Sequence, residues 1–410
     1  MVVSKGNGSR GCFCYRRVKV LHVIPSVSPK HGGPTYAMHA VATALQVAGV
    51  EILIATSDDD GDDARLDVPL GVPIERDGIQ HIVFRRSFLK YRVSFGLARW
   101  LKHNVSQFDI IHIHALFSFS SLVAARAARR HNVPYIIRPL GVLNRWGLEN
   151  RRRLAKRLSL RFIELPILRG AAAIHFTSEA ERREAAEICG ELALNRSCVI
   201  PVPVEGSGSA GHKEEFIRKF PVSAGRKLIL FLSRVDQKKG IELLLEAFAS
   251  VKRSEPSALL VIAGDGEARY VDELRSQATR LGVASDILWT GFVEKADKAN
   301  AYAAASVFVL PSHSENFGIA AAEALASGVP CVLSDQVALT EYLQNGDSAL
   351  VVSCESAAIA KALCDVLSKP EMGARLAARG QQVAKERFSL EAVGRGLMDL
   401  YRSIVSGKGV

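Results

Sequence analysis

The chain runs twice through one alternation of apolar runs and helical patterns, and that repetition restricts its fold more than any single motif. VKVLHVIP (18–25) is a β-branched apolar run that ends in the loop SPKHGGP, with Gly32 and Gly33. A helical pattern follows over Thr35–Val47, then a second apolar run, VEILIATS (50–57). Strand, loop, helix and strand open a doubly wound α/β domain. FDIIHIHAL (108–116), a helical pattern around 120–131, VPYIIRPLG (133–141), AAAIHFTS (171–178) and SCVIPVPV (197–204) continue it.

At EGSGSAG (205–211) the composition turns to small, flexible residues, as in a linker, and the alternation then restarts. KLILFLSR (227–234), a helix over 240–253, ALLVIAGDG (258–266), ILWTGFV (287–293), SVFVLPS (306–312) and PCVLSD (330–335) form the second series. The expected organisation is a flexible basic tail (1–17), an N-terminal domain (18–205) and a C-terminal domain (206–388). A last amphipathic helix (389–410) packs back on the N-terminal domain. A chain of 410 residues suits two cores better than one, and ligands commonly bind in the cleft between two such halves.

Mixed charge and 48% hydrophobic residues indicate a folded protein. No apolar run reaches the length of a membrane span, and the first 17 residues lack the apolar centre of a secretory signal. Seven cysteines, scattered at 12, 14, 189, 198, 331, 354 and 364, imply neither a disulfide framework nor paired zinc knuckles. A reduced, cytoplasmic chain is expected. The net charge of +11 is uneven: residues 1–205 carry 29 Lys and Arg against 18 Asp and Glu, whereas residues 206–410 carry 24 of each. Such asymmetry points to an anionic partner for the N-terminal half alone.

The stretch HSENFGIAAAEALASGVP (313–330) places Glu315 in a strand-to-helix loop and Glu323 inside a helix closed by Gly328 and Pro330. That loop lies at the carboxyl edge of a parallel sheet, where ligands bind, and its free N–H groups suit a phosphate or sugar oxygen. Eight residues at the helical period bring the two glutamates to within ~80° of each other around the axis. A carboxylate repels phosphate but accepts hydrogen bonds from vicinal hydroxyls, so one glutamate for a sugar and one for a ribose describes a nucleotide sugar.

This segment resembles the E-x7-E signature of retaining GT-B glycosyltransferases, in particular the large family 4. The GGP loop, the strand DIIHIH and SRVDQKKG (233–240) extend the resemblance from Val18 to about Tyr401. It implies two Rossmann-like domains facing across a cleft and a UDP- or GDP-sugar donor. Diphosphate charge would be met by side chains, with no metal or other cofactor. Arg234 and Lys239 match the family's R-x4-K pair, a bidentate fork plus a point charge. Gly32 and Gly33 would let backbone approach the diphosphate from the other side. By the same resemblance Glu315, Asn316, Phe317, Gly318 and Ile319 would hold the sugar, Glu323 the ribose, and Phe292 would lie by the base. His112 and His114 share one side of a strand, but a third zinc ligand is missing; the resemblance places His114 at the cleft beside the transferred sugar.

Residues 135–181 resemble a subgroup that builds lipopolysaccharide or exopolysaccharide, although Leu140 and Val142 stand where it often has Arg and Met. Pro-Val-Pro-Val (201–204) likewise replaces the family's usual Pro-Asn-Gly-Val. Residues 144–169 carry eight Arg and Lys against two Glu among apolar residues, which suits an anionic membrane surface at its inner face. Aromatics are not interleaved with this charge as nucleic-acid binding would require. The aspartate cluster SDDDGDD (57–63) reads as a solvated acidic loop despite its D-x-D. VIAGDGE (261–267) lacks the third glycine of a dinucleotide fingerprint, against hydride transfer. The expected activity is hexosyl transfer to a lipid-linked glycan; the alternatives are a soluble transferase with a small sugar or polyol acceptor, and a nucleotide-sugar-binding protein without turnover.

Overall fold

A computed structural model describes residues 17–61, 63–143, 153–205, 211–293 and 295–407. The basic tail, most of the 205–211 linker and residues 144–152 of the basic segment lie outside the described residues. The N-terminal sheet comprises β1 (Lys19–Ser26), β2 (Glu51–Ser57), β3 (Pro73–Arg76), β4 (Ile79–Phe84), β5 (Ile110–His114), β6 (Tyr135–Arg138), β7 (Ala173–Phe176) and β8 (Ser197–Val199). Its order is β3-β4-β2-β1-β5-β6-β7-β8. The C-terminal sheet comprises β9 (Lys227–Leu232), β10 (Ala258–Ala263), β11 (Ile287–Gly291), β12 (Val307–Leu310), β13 (Cys331–Ser334) and β14 (Leu350–Val352). These run in the order β11-β10-β9-β12-β13-β14. Every pairing is parallel except β3 with β4.

The apolar runs are near-continuous because helices cover both faces of each sheet, as in β10, where all six residues are buried. Strand order reverses beside β1 in one sheet and beside β9 in the other, so the loops after β1, β9 and β12 lie at the switch points where such sheets bind ligands. Those loops carry Gly32 and Gly33, Arg234 and Lys239, and Glu315 respectively.

The closing helix, Leu390–Val405, lies on the N-terminal domain against the helix Gly33–Val47. Val393, Leu397, Leu400 and Tyr401 enter the core formed by Val20, Ile24 and Ile110. Gly394 permits this approach: a Cβ there would stand 2.3 Å from the Ala44 carbonyl oxygen.

The first two aspartates of the acidic cluster are not solvated, whereas Asp63 is exposed as expected. Asp58 and Asp59 are buried, because they brace two loops that would otherwise separate. Asp59 accepts from His31 at 2.9 Å, from Arg92 at 3.0 Å and from Arg86. Asp58 accepts from the Arg86 backbone N–H at 2.6 Å, and Asp60 from Ser28 and Lys30 at 2.5 and 2.7 Å. The glycine loop after β1 is thereby tied to the segment 85–92. Asp59→Asn removes a buried charge that pairs with Arg86, Arg92 and His31, and the variant is expected to lose about 2–3 kcal/mol of stability in urea unfolding.

Candidate functional site

The loop after β12 is extended, not helical. Glu315 forms a parallel bridge with Val337, its N–H donating to the Gln336 carbonyl at 3.1 Å and its own carbonyl accepting from Ala338 at 3.0 Å. The helix starts only at Ile319, after Gly318 at φ +96°, where a Cβ would approach Val337 to 2.9 Å. The helical arithmetic for the two glutamates therefore fails, since it counted four residues that are not helical. They nonetheless lie near the mouth of one helix, in separate pairings. Glu315 meets Lys239. Glu323 accepts from Lys298 at 2.5 Å and from the Tyr302 hydroxyl at 2.9 Å. Each carboxylate side chain keeps 20% of its surface exposed, so an arriving hydroxyl can reach it.

Lys239 ends a 3-10 turn, Gln237–Lys239, whose Lys238 N–H is capped by the Asp236 side chain at 3.0 Å. Gly240 follows at φ +64°, where a Cβ would fall 2.1 Å from the Pro311 carbonyl oxygen. Only glycine lets the loops after β9 and β12 touch, and that contact delivers Lys239 to Glu315. Burial lowers the pKa of Lys238, as do the neighbouring charges of Lys239 and Arg234, so three cations gather at this strand end. GDG at 264–266 has a packing reason: Cβ atoms on Gly264 and Gly266 would meet the carbonyl oxygens of Ser233 and Val235 at 1.9 and 2.0 Å.

The N-terminal domain faces this loop directly. A Cβ on Gly32 would come within 4.0 Å of Arg234 Cδ, and one on Gly33 within 4.0 Å of Ile319 Cδ1. Gly141, at φ +69°, lies so close to Asn316 that a Cβ would clash with its side-chain amide at 1.7 Å. Further along, Glu341 accepts from the N–H groups of Glu179 and Ala180, at 2.6 and 3.1 Å, at the start of the helix Glu179–Cys189. Glu181 holds the facing turn by accepting from Gly141 N–H at 2.7 Å and from the Thr177 N–H and hydroxyl at 2.8 Å each. Glu315, Asn316, Ile319, Arg234, Lys239, Gly32 and Gly33 thus surround one interface between domains.

Phe317 and His114 depart from expectation. Phe317 is buried and packs edge-on against Phe388 at 5.5 Å, its carbonyl accepting from Leu339 N–H at 3.1 Å. Phe292 stands 59% exposed after β11. His114 is wholly buried within a polar cluster on the sheet face covered by the closing helix. His22 Nδ1 lies 2.9 Å from His114 Nε2, His112 Nδ1 2.7 Å from the Tyr401 hydroxyl, and His175 Nδ1 3.3 Å from His112 Nε2. The third histidine missing from the sequence reading is His22, whose ring nitrogens come within 4.8 Å of those of His112 and His114. The set does not fit a cation. His112 and His114 stack at 4.4 Å instead of converging, and the buried guanidinium of Arg138 charges the same space. Burial, then Arg138, pushes His22 down to about 3; burial, then His22 and Arg138, holds His114 well below the ordinary imidazole range.

Lys298 and Tyr302 were not anticipated. Their i, i+4 spacing on Lys295–Ala304 was the available signal, since one helix face then carries a cation and a phenol toward Glu323.

Two doubly wound domains that meet at their strand ends, with cations on one side and a glycine turn on the other, define the GT-B class. Residues 32–203 match the family described as Glycosyl transferase 4-like domain, and residues 212–383 that of Glycosyl transferases group 1. The chain belongs to these group 1, family 4-like glycosyltransferases. It is 33% identical over 241 residues to phosphatidyl-myo-inositol mannosyltransferase of Mycobacterium tuberculosis, a match covering 57% of this chain and 59% of that one. It is 37% identical over 119 residues to alpha-monoglucosyldiacylglycerol synthase of Streptococcus pneumoniae, covering 29% and 26%. The matched stretches span less than two-thirds of these relatives' own length. HepE of Anabaena, solved in complex with UDP and glucose, shares the fold at a TM-score of 0.73 and 20% identity, over 94% of this chain and all of HepE.

Proposed function

We propose that the protein is a retaining, metal-independent hexosyltransferase that moves a sugar from a UDP- or GDP-hexose to a lipid-linked glycan in cell-surface polysaccharide assembly. One observation carries the reading: Arg234 and Lys239 gather beside the Gly32–Gly33 turn and beside Glu315, where a diphosphate would find cations on one side and bare backbone on the other. In the free protein Lys239 is neutralised by Glu315. A donor diphosphate takes over that lysine, and Glu315 is then free to accept from sugar hydroxyls. Glu323, oriented by Lys298 and Tyr302, accepts from the ribose. Arg234 and Lys239 stabilise the charge that grows on the departing diphosphate, which itself draws the proton from the acceptor. The lipid acceptor is supported by the two relatives, both of which carry a lipid in their names. No helix among the described residues is long and apolar enough to cross a membrane, so an acceptor in a bilayer would be met from its surface.

A melting screen with UDP, GDP and their sugar conjugates, with and without chelator, tests the donor site. Ligand at 100 times its Kd should stabilise the fold by about 2.7 kcal/mol. A chelator-insensitive shift with one nucleotide is the expected result; no shift, or one abolished by chelator, removes the metal-free site.

A further inference from the structure

Six large apolar side chains left in solvent belong to two adjoining segments. Phe88, Leu89, Tyr91 and Phe95 are 39–60% exposed, and Leu158 and Phe162 are 60% and 67% exposed. The first segment folds back on itself, with Phe88 N–H and Val93 N–H each donating to the other's carbonyl. Phe88 meets Phe95 edge-on at 5.9 Å. The two segments join where Tyr91 bonds to Ser159. Along the second, Leu158 and Phe162 stand four residues apart and form an apolar row. Arg157 and Arg161 form a parallel cationic row, the Arg161 guanidinium 5.8 Å from the Phe162 ring centre. Exposed Arg85 and Arg99 flank the first segment, and exposed Arg92 lies within it.

This tip is held, not frayed. Tyr91 and Arg92 sit at φ +61° and +47°, conformations that cost free energy in residues other than glycine. The Arg92–Asp59 pair and the Tyr91–Ser159 bond restrain them. Beneath the tip opens a cavity of about 290 Å³, lined by Pro25, Leu89, Tyr91, Arg92, Ala115 and Phe117. It lies by the ends of β1 and β5, on the edge of the sheet that faces the donor loop.

We infer that Phe88–Phe95 and Leu158–Phe162 together form a docking surface for an anionic lipid bilayer, with the aromatic tip entering the headgroup layer above this cavity. Charge complementarity selects this occupant. The chain's whole excess of positive charge lies in the N-terminal half, and arginines ringing exposed aromatic and aliphatic side chains suit phosphate headgroups over acyl chains. The surface extends the proposed lipid-linked acceptor by stating how the enzyme reaches it.

Sedimentation of the full chain with vesicles of phosphatidylglycerol and phosphatidylcholine, and with phosphatidylcholine alone, tests the surface. Binding to the anionic vesicles that weakens with salt is expected. F88S/F95S and L158S/F162S should each reduce partitioning at least about tenfold, while the melting shift with the donor nucleotide stays as in the parent. Undiminished binding by both variants, or equal binding to uncharged vesicles, overturns the inference. A donor shift without vesicle binding removes the docking surface and leaves glycosyl transfer standing. Vesicle binding without any donor shift removes the proposed activity and leaves the surface.

Discussion

Lys239→Ala should lower kcat by about 10²–10³, with a smaller rise in donor KM. The Lys239 side chain is 11% exposed and already faces a carboxylate, so its charge counts for more there than in water. On the proposed mechanism its work is greatest when the glycosidic bond breaks and the diphosphate gains charge, so turnover should suffer more than binding. The fold should survive. The remaining Glu315 side chain keeps 20% of its surface in contact with water, so losing its partner costs on the order of 1 kcal/mol. Arg234→Ala should act in the same direction but less strongly, because Arg234 is exposed and water already screens it. Single-turnover kinetics with purified variants would separate binding from chemistry. A Lys239→Ala enzyme with near-parental kcat would remove the lysine from the leaving-group site.

The sheets and the two-domain plan were legible because buried parallel strands write themselves as unbroken β-branched runs. The antiparallel β3 was not: four residues opened by Pro73, with alternating exposure, carry no such signal. At the site, strand-end position brought in Glu315 and the family resemblance Arg234 and Lys239, and the structure sets Lys239 against Glu315. Geometry within the loop was misread. A helical count ran through Glu315–Gly318, which precede the helix and of which Glu315 pairs with Val337, and the Phe317 side chain packs into the core against Phe388. The aspartates were misread for a related reason. Asp59 looks solvated until Arg86, Arg92 and His31, remote in sequence, arrive around it. His22 was overlooked because one histidine in an apolar strand has no local signature. Its register opposite His112 is a tertiary fact.

That buried cluster makes the stability of the chain depend on pH. His22 and His175 are lowered to about 3, and His112 and His114 lie well below the ordinary value, burial being the first cause in each case. The groups packed around them add to this. Arg138 is a buried cation, Tyr401 offers a neutral hydroxyl, and the nearest carboxylate acting on Arg138 is Glu181, whose oxygens already hold Gly141 and Thr177. Folding therefore requires neutral imidazoles, whereas the unfolded chain protonates them near 6.5. The sign follows: the unfolded state binds more protons below that value, so the contribution is complete above it and is lost as pH falls towards the folded pKa. Between pH 7.5 and 5, His22 and His175 should each remove on the order of 2 kcal/mol, a large share of a domain's usual stability. Burial raises Glu164 and Glu184, which then bind protons more readily folded than unfolded, so what they contribute opposes the histidine slope. Urea unfolding at half-unit steps should show stability falling by at least two protons' worth per pH unit from 6.5 to 5. His175→Gln, which can still donate to the Ile200 carbonyl, should flatten that slope by about one proton. Because Tyr401 bonds His112, the closing helix should release first, and protection of its amide hydrogens should fail at higher pH than that of β9 and β10. A stability profile flat from pH 7.5 to 5 would mean that the cluster is already solvated or charged in the folded protein.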